Sequence, residues 1–275
     1  MGLRIGTNVQ SLTAQRNLSK ATAGLNRNFE HLSTGRRISR ASDDAAGLAI
    51  SARFTAQIRS LDQAVRNAND GISLVQTAEG ALAEVENSLV RMRELAVQSS
   101  NGTLSTSDRT NLNEEYVQLL GSINQIAGGT NFNTIDLLNS SGNVVLQIGA
   151  GTSAAVDTLN ISLVDVQTSA LSIAGGSITS VSNASTAITA IDLAIDSVTS
   201  FRGELGAAQN RLDSAINSLT IRSENLSAAN SRILDVDVAA ETAMLTKNSI
   251  LQQAALSVLA QANQQPLSAL SLLGG

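Results

Sequence analysis

The chain has 275 residues, a formal net charge of −5, 43% hydrophobic residues and only 2% aromatic residues, and it contains no cysteine. The missing cysteine excludes disulfide scaffolds, thiolate metal sites and cysteine nucleophiles. The negative charge argues against general nucleic-acid binding, which depends on neutralising phosphates. With so few rings and a single proline, aliphatic residues must supply the packing, and this favours long helices that meet along seams.

A first helical pattern lies near the start of the chain. Its apolar residues recur at steps of three and four and are Leu18, Ala21, Leu25, Phe29 and Leu32. The same stretch is basic and nearly free of acidic residues, so we expect a solvated basic face or one that meets an acidic neighbour. No local partner for the apolar stripe is evident.

The strongest signal is a heptad pattern that begins at Ile58. Its members are Ile58, Leu61, Val65, Ala68, Ile72, Val75, Ala78, Leu82, Val85, Leu89, Met92 and Ala96. A repeated step of three after Val75 is a stammer, and Gly71 and Gly80 flank it, so we expect a soft spot there. The helix should end at the Asn-Gly of SNGTLST.

A second helix should follow after a short loop. A serine or threonine at 105–107 can cap it, Asp108 falls in its first turn, and Gly128-Gly129 should end it. The two helices then form an antiparallel pair. Residues 130–182 are rich in Asn, Ser, Thr and Gly, and NVVLQIGAG and DTLNISLVDV indicate a small β-hairpin.

The most regular seam comes next. One column is apolar at every seventh residue and comprises Ile191, Val198, Leu205, Leu212, Leu219, Leu226 and Ile233. The companion column is polar at Arg202, Gln209, Ser223 and Asn230. These polar residues either fix register and partner or mark where the seam faces solvent or a neighbour, and the sequence leaves both open.

The last helical pattern carries no formal charge after Lys247 and includes Leu251, Ala255, Val258 and Ala262. It is too polar to insert in a membrane, since a spanning helix needs about 20 nearly unbroken apolar residues. We therefore predict that the two terminal stripes pair with each other.

No constellation of side chains points to an enzyme. His31 is the sole histidine and cannot form a metal cluster alone, so we interpret it as an ordinary polar helix residue. Asp43 and Asp44 are adjacent and diverge, which favours helix capping or pairing with nearby arginines over acid–base chemistry. We expect no cofactor and no metal.

Several long motifs resemble the two end regions of bacterial flagellin, over residues 1–135 and 185–275. They are LSTGRRISRASDDAAGLAIS, NDGISLVQTAEGALAEVENSLVRMRELAVQSSNGT, TNFNT, SRILDVDVAAETAMLTKNSILQQAALSVLAQANQ and LSLL. The short middle resembles a minimal flagellin that lacks large variable outer domains.

The resemblance implies a mainly α fold: a long antiparallel helical coiled-coil bundle with a small β-hairpin insert and paired N- and C-terminal helices. It implies an inner-tube coiled coil of residues 1–43 plus 236–275 and a core domain of residues 44–235. The implied function is the repeating subunit of the extracellular flagellar filament, exported unfolded through the filament channel. Order of the ends then comes from neighbouring copies, because one copy offers too few partners to offset roughly 1–2 kcal/mol of backbone entropy per residue.

The resemblance also implies partners. They are further copies of the chain, hook–filament junction proteins, the filament cap, and the export apparatus with an export chaperone at the C-terminal region. Arg91, Leu95 and Glu115 match the family's surface for the animal flagellin-sensing Toll-like receptor, although contacts between subunits are the favoured role of that surface. Leu25, Phe29, Leu32, Leu251, Ala255, Val258 and Ala262 are the expected packing residues of the terminal coiled coil.

Two other functions remain open. A hook–filament junction or minor axial protein would share the terminal pattern without forming long filaments. A cytoplasmic coiled-coil scaffold would leave the uncharged ends unexplained, and their deletion would not abolish its assembly.

Overall fold

A computed structural model describes residues 7–273 of the chain, with side chains described for residues 7–264. The elements in chain order are α1 (Val9–Thr34), α2 (Ala45–Ser99), α3 (Thr106–Gly129), β1 (Asn131–Phe132), β2 (Ile135–Asp136), β3 (Gly142–Gln147), α4 (Ala154–Asp157), β4 (Thr158–Leu163), α5 (Val181–Leu234) and α6 (Val238–Leu273). This confirms the predicted mainly α fold of long helices with a small β insert.

The chain divides into two compact units, one of residues 1–56 with 225–275 and one of residues 57–224. The domain boundaries predicted after residues 43 and 235 lie elsewhere, in the connections that follow α1 and α5. Those boundaries stay a prediction.

In the unit of residues 57–224, the predicted seam of α2 forms one side of the hydrophobic core. Leu61, Val75, Leu82 and Met92 are buried, and the helix runs unbroken through the predicted stammer to Ser99. Three predictions are thus confirmed at once: the face, the continuity and the end of the helix.

The helix α2 begins at Ala45, well before the apolar pattern becomes regular. Asp44 precedes its first residue, and the Asp44 carboxylate accepts a hydrogen bond from the backbone N–H of Gly47 at 2.8 Å. This is the N-cap geometry, so the capping role predicted for this aspartate is confirmed. Asp43 accepts hydrogen bonds from the backbone N–H groups of Arg40 and Ser39 instead, and these lower the pKa of its carboxyl group.

The helix α5 runs antiparallel to α2, and polar residues mark the register. Arg93 contacts Asp192 at 2.6 Å, Arg202 pairs with Glu86, and the Ser223 hydroxyl donates to Asp62 at 3.1 Å. Position numbers fall along α2 as they rise along α5. Of the two readings of the polar column, register fixing is therefore favoured at these positions, because Arg202 and Ser223 face the partner helix.

The helix α3 begins as the sequence predicts. The Ser105 hydroxyl accepts from the backbone N–H of Asp108 at 3.2 Å, and the Asp108 carboxylate accepts from the backbone N–H of Ser105 at 3.0 Å. These two bonds form a capping box. Buried Arg109 donates to the carbonyl groups of Ser99, Asn101 and Leu104, and so closes the loop between α2 and α3.

The predicted hairpin consists of β3 and β4, which pair antiparallel from Gly142 opposite Leu163 to Gln147 opposite Thr158. The pairing of β1 with β2 was not predicted, because two-residue strands carry no periodicity. Asn133 and Thr134 at its turn both have positive φ, 47° and 68°, which matches the type I′ turn that suits a tight hairpin.

In the other unit, α1 packs against α6, and the predicted pairing of the two terminal helices is confirmed. Hydrogen bonds fix the antiparallel direction, since Asn8 donates to the carbonyl of Ala262 at 2.7 Å while His31 meets Glu241 at 3.1 Å. Near the ends of the pair, the backbone N–H of Arg37 donates to the carbonyl of Leu234 at 2.6 Å.

Candidate assembly surface

The seam between α1 and α6 follows a strict heptad on both helices. On α1 the heptad positions, each of them buried or half-buried, are Ser11, Ala14, Leu18, Ala21, Leu25, Asn28 and Leu32. On α6 they are Glu241, Leu245, Asn248, Gln252, Ala255, Leu259 and Ala262. Steps of three and four alternate throughout, as in other coiled coils. Small residues dominate the buried set, so the two helices lie close together.

Three of the predicted packing residues lie off this seam. Phe29 is 54% exposed, Leu251 is 47% exposed and Val258 is 52% exposed, whereas Leu25, Leu32, Ala255 and Ala262 lie on it. The prediction for the first three is wrong within a single chain. The polar residues Asn28 and Gln252 hold the seam positions next to Phe29 and Leu251. A prediction from the spacing of apolar residues therefore selects the neighbouring residue in place of the seam residue.

The polar seam residues form a connected cluster near Asn28. The Asn28 amide donates to the Glu241 carboxylate at 2.5 Å, and the Asn248 amide donates to the Asn28 carbonyl oxygen at 2.7 Å. The Nδ1 atom of His31 lies 3.1 Å from the same Glu241 oxygen. Buried polar groups cost free energy unless they are hydrogen-bonded, and here each has a partner. His31 was predicted to be an ordinary polar helix residue, and the structure adds that its ring contacts Glu241 of the partner helix.

Hydrogen bonds continue along the pair away from this cluster. The Gln252 amide donates to the Thr22 hydroxyl at 3.3 Å, and the Ser11 hydroxyl donates to Asn263 at 2.9 Å. The pairing of the ends thus rests on amide and hydroxyl groups as much as on apolar contact. Ser11 and Gln252 fall at heptad positions, whereas Thr22 and Asn263 flank them, and none of these contacts was predicted from the sequence.

Apolar side chains remain uncovered on the same pair of helices. Those more than one third exposed are Val9, Leu12, Phe29, Val238, Met244, Ile250, Leu251, Leu256 and Val258. On α6, at 100° per residue, Leu251 and Val258 are one heptad apart and share a face, whereas Ile250 lies about 100° and Leu256 about 140° away from Leu251. A helix with apolar side chains on more than one face is typically buried on more than one side, yet α1 covers only one side of α6.

A groove of about 460 Å³ adjoins the seam. Small and apolar residues from both helices line it, among them Ala14, Ala21, Leu251, Ala255 and Val258, and Lys20 lies at its edge. Leu251 and Val258 are therefore positioned beside the pair, where a further helix could contact them.

The basic residues of α1 and the loop after it are exposed, as predicted for a solvated face, and Arg40 pairs with Glu30 at 2.9 Å.

The second candidate surface lies on α2 and α3. Arg91 bonds Glu115 and Glu94, at 2.8 Å and 2.9 Å, and these hydrogen bonds raise the pKa of its guanidinium group, Glu94 having the larger effect. Leu95 is only 1% exposed and belongs to the hydrophobic core. We correct its placement on this surface: its side chain packs inward and offers a partner no contact area. Arg91 and Glu115 remain available.

Among residues 7–264, no three histidine or acidic side chains gather closely enough to hold a metal ion. Nor does any helix of the described chain combine the length and apolar character that crossing a membrane requires.

Two family models match the chain. The model of the bacterial flagellin N-terminal helical region matches residues 5–143, and that of the C-terminal helical region matches residues 188–273. Both terminal helices and most of α2, α3 and α5 lie inside these matches. Only residues 144–187 lie between them, so the chain has no large variable domain.

Individual relatives agree. The chain is 49% identical to a flagellin of Halalkalibacterium halodurans, with 98% of this chain and 99% of the relative covered. It is 42% identical to a flagellin of Bacillus subtilis, with 98% and 100% covered. The crystal structure of Bacillus cereus flagellin superimposes with a TM-score of 0.51 at 35% identity, over 60% of this chain and 94% of that one. The chain therefore belongs to the bacterial flagellin family.

Proposed function

We propose that this chain assembles into the flagellar filament by burying the uncovered apolar side chains of α1 and α6 against further copies of itself. Flagellins are structural proteins, and this chain is a structural subunit of the filament, an extracellular appendage. This route of assembly is supported by the exposure of four apolar residues on α6, a helix that packs against α1 within the chain. They are Ile250, Leu251, Leu256 and Val258.

The free energy available from this surface is large. Full burial of a leucine, isoleucine or valine side chain contributes about 1.5–3 kcal/mol, and these four are each close to half exposed. Contact with neighbouring copies would release roughly half of that amount for each side chain. The sum for the four side chains is roughly 3–6 kcal/mol, which corresponds to at least about a hundredfold in an association constant, so we expect burial of these side chains to drive assembly.

The other partners follow from the family and from the same surface. We infer export of the unfolded chain through the filament channel, which suits a chain without cysteine. We also infer that the chain contacts junction proteins and the cap at the two ends of the filament. Before export, its C-terminal region would bind an export chaperone. A chaperone that covered the exposed apolar residues of α6 would prevent premature assembly.

Arg91 and Glu115 supply a second, smaller proposal. Their exposed ion pair fits a contact between subunits, and the same pair is our candidate for recognition by the flagellin-sensing receptor. Reversing the charge at Arg91 should weaken either contact, whereas substitution of Leu95 would act through loss of core packing. Receptor reporter assays on variants that keep the parent melting temperature separate the two effects.

The two rival functions fit less well. Junction and minor axial proteins would not be expected to match filament flagellins along nearly their whole length, as this chain does. A cytoplasmic scaffold gives no reason for a terminal helix that carries no formal charge after Lys247 and has apolar side chains exposed outside its seam. Electron microscopy of the purified protein after salting out decides, because only a filament subunit yields long filaments of one diameter.

A substitution experiment tests the assembly surface itself. Leu251→Gln with Val258→Gln keeps helix propensity and removes two uncovered apolar side chains, so the concentration needed for assembly should rise at least about tenfold. The matched control is Val156→Gln, since Val156 is 73% exposed in the β insert. If the double variant assembled at the parent concentration, this surface would have no part in the filament.

A further inference from the structure

The apolar part of the α1–α6 seam repeats itself every seven residues. Leu18, Leu25 and Leu32 are identical residues one heptad apart on α1. Ala14 and Ala21 repeat in the same way, and so do Ala255 and Ala262 on α6. A shift of α6 along α1 by one heptad, about 10.5 Å, would therefore bring like residues to like positions. Apolar packing alone cannot distinguish the native register from the shifted one.

The polar cluster breaks this repetition. In the native register Glu241 meets Asn28 and His31, and Asn28 also meets Asn248. In the shift that moves Glu241 seven residues towards the start of α1, Ala21 and Gly24 replace Asn28 and His31 beside its carboxylate, Glu241 takes the place of Asn248 beside Asn28, and Asn248 faces Ala21, which offers no hydrogen-bonding group. In the opposite shift, Asn28 would face Ala255 in place of Asn248. Each shift leaves a buried polar group without its partner.

We propose that Asn28, Glu241 and Asn248 together select the register in which the two terminal helices pair. The penalty for an unpaired buried polar group corresponds to about tenfold or more in the equilibrium between registers. Apolar residues in their place would pack the helices at least as stably and would admit both registers. These three residues therefore determine in which register the helices pair. This inference deepens the proposed function, and it rests on that function only where the register is measured in filaments.

Gly24 belongs to the same device. A methyl group at Gly24 would come within 2.9 Å of the Asn248 amide nitrogen. The glycine thus leaves room for the amide that reaches Asn28. The polar cluster and the glycine beside it occur at one position along the described part of the helix pair. Because they are not repeated at the next heptad, they can distinguish the native register from a shifted one.

The connection at the other end of the pair is the competing explanation. The backbone N–H of Arg37 donates to the Leu234 carbonyl, and the Arg37 side chain donates to the Ile233 carbonyl at 2.7 Å. If these bonds alone set the register, the seam cluster would be dispensable. An experiment has to separate the two.

Cross-linking can read the register because the chain has no cysteine of its own. Ser11 and Asn263 touch in the native register, so Ser11→Cys with Asn263→Cys reports it through a short thiol-reactive linker. Ser11→Cys with Leu256→Cys reports the shift of one heptad. Filaments are assembled from equal amounts of ¹⁴N- and ¹⁵N-labelled subunits, and mass spectrometry identifies links within one chain by their single isotope.

The reporters are placed in four backgrounds: the parent, Asn28→Ala with Glu241→Ala and Asn248→Ala, Glu241→Gln, and Arg37→Ala. We expect the shifted link to rise about tenfold relative to the native link in the triple variant. Glu241→Gln keeps a hydrogen-bonding side chain and should retain the native link, as should Arg37→Ala, which removes the side-chain bond to Ile233 and leaves the backbone bond to Leu234 in place. Removing the three polar residues together leaves only the half-buried His31 without its partner, so we expect folding to be retained.

The outcomes separate cleanly. An unchanged ratio of links in the triple variant, or a shifted link that rises in Arg37→Ala instead, overturns the inference. Should the triple variant form no filaments, the same ratio is measured in the dilute subunit, where links within one chain alone can form. Failure of the parent itself to form filaments speaks against the proposed function and leaves the dilute-subunit ratio as the test of register.

Discussion

Gly71 on α2 lies directly beneath Leu146 of strand β3. A methyl group placed on Gly71 would overlap the Leu146 Cδ1 atom, and the next nearest atom, Cδ1 of Leu212 on α5, is 3.4 Å away. The glycine is therefore where the hairpin seats against the helix. The sequence pattern suggested a soft spot here, whereas the structure shows a close contact inside a continuous helix.

From this contact we expect Gly71→Ala to destabilise the protein by about 1–3 kcal/mol, as overpacking of a filled core does. The matched control is Gly80→Ala, in the same helix, because nothing lies within 4 Å of a methyl group at Gly80. That control should stabilise the protein by about 1 kcal/mol through helix propensity. Urea unfolding of both variants measures the difference. Equal stabilisation by the two substitutions would contradict the seating of Leu146.

The capping box of α3 should make stability depend on pH in acid. Hydrogen bonds from the Ser105 hydroxyl and then its backbone N–H lower the pKa of the Asp108 carboxyl group. A lowered pKa in the folded state means that this stabilisation is present above the ordinary aspartate pKa of about 3.9 and is lost as the pH falls through the lowered value.

Asp108→Asn should accordingly lower the melting temperature at neutral pH and change it much less well below pH 3. Melting curves of the parent and the variant at both pH values provide the measurement. Ser105→Ala serves as the comparison, since it removes the cap itself and should cost about 1 kcal/mol with less dependence on pH. A pH-independent difference for Asp108→Asn would rule out the carboxylate as the source.

Tyr116 gives a spectroscopic prediction, because it is the sole tyrosine and the chain has no tryptophan. Burial raises the pKa of its phenol group, since the charged phenolate would lose hydration. Its absorbance change should thus begin above the ordinary pKa of about 10 and coincide with alkaline unfolding. As the folded pKa is the raised one, stability is retained below pH 10 and falls as the pH rises further. A reversible titration near the ordinary pKa, with native circular dichroism, would mean that Tyr116 is open to water.

Arg109 should tolerate no conservative replacement. Its buried guanidinium reaches the carbonyl groups of three loop residues, and a lysine ammonium cannot span that set. We expect Arg109→Lys to destabilise the protein by about 1–3 kcal/mol, because carbonyl groups lose their donors. Arg66→Lys, at an exposed arginine of α2 that bonds only its neighbour Gln63, should change stability by less than about 0.5 kcal/mol. Thermal unfolding of the two variants makes the comparison.

The sequence predicts the α2–α5 seam well because its buried positions are apolar and repeat without interruption. Val198 and Leu205 could be placed from spacing alone, and both are buried. At the terminal pair, spacing of apolar residues selects Phe29, Leu251 and Val258, which lie exposed beside the seam. The actual seam uses Asn28 and Gln252, whose burial depends on hydrogen-bond partners that only the folded structure supplies. Leu95 shows the converse, because a motif match gives no information on which way a side chain points.

The crossing contacts between α2 and α5 restrict how such a chain can change in length. An insertion within α2 would displace Arg93 from Asp192 or Asp62 from Ser223, unless α5 gained the same number of residues at the same level. Extra residues placed between Gly129 and Val181 disturb none of these partners. An insertion that is not matched in the other long helix is therefore tolerated only in the short middle segment. A deletion that shortens α2 or α5 requires a deletion of equal length in the other helix.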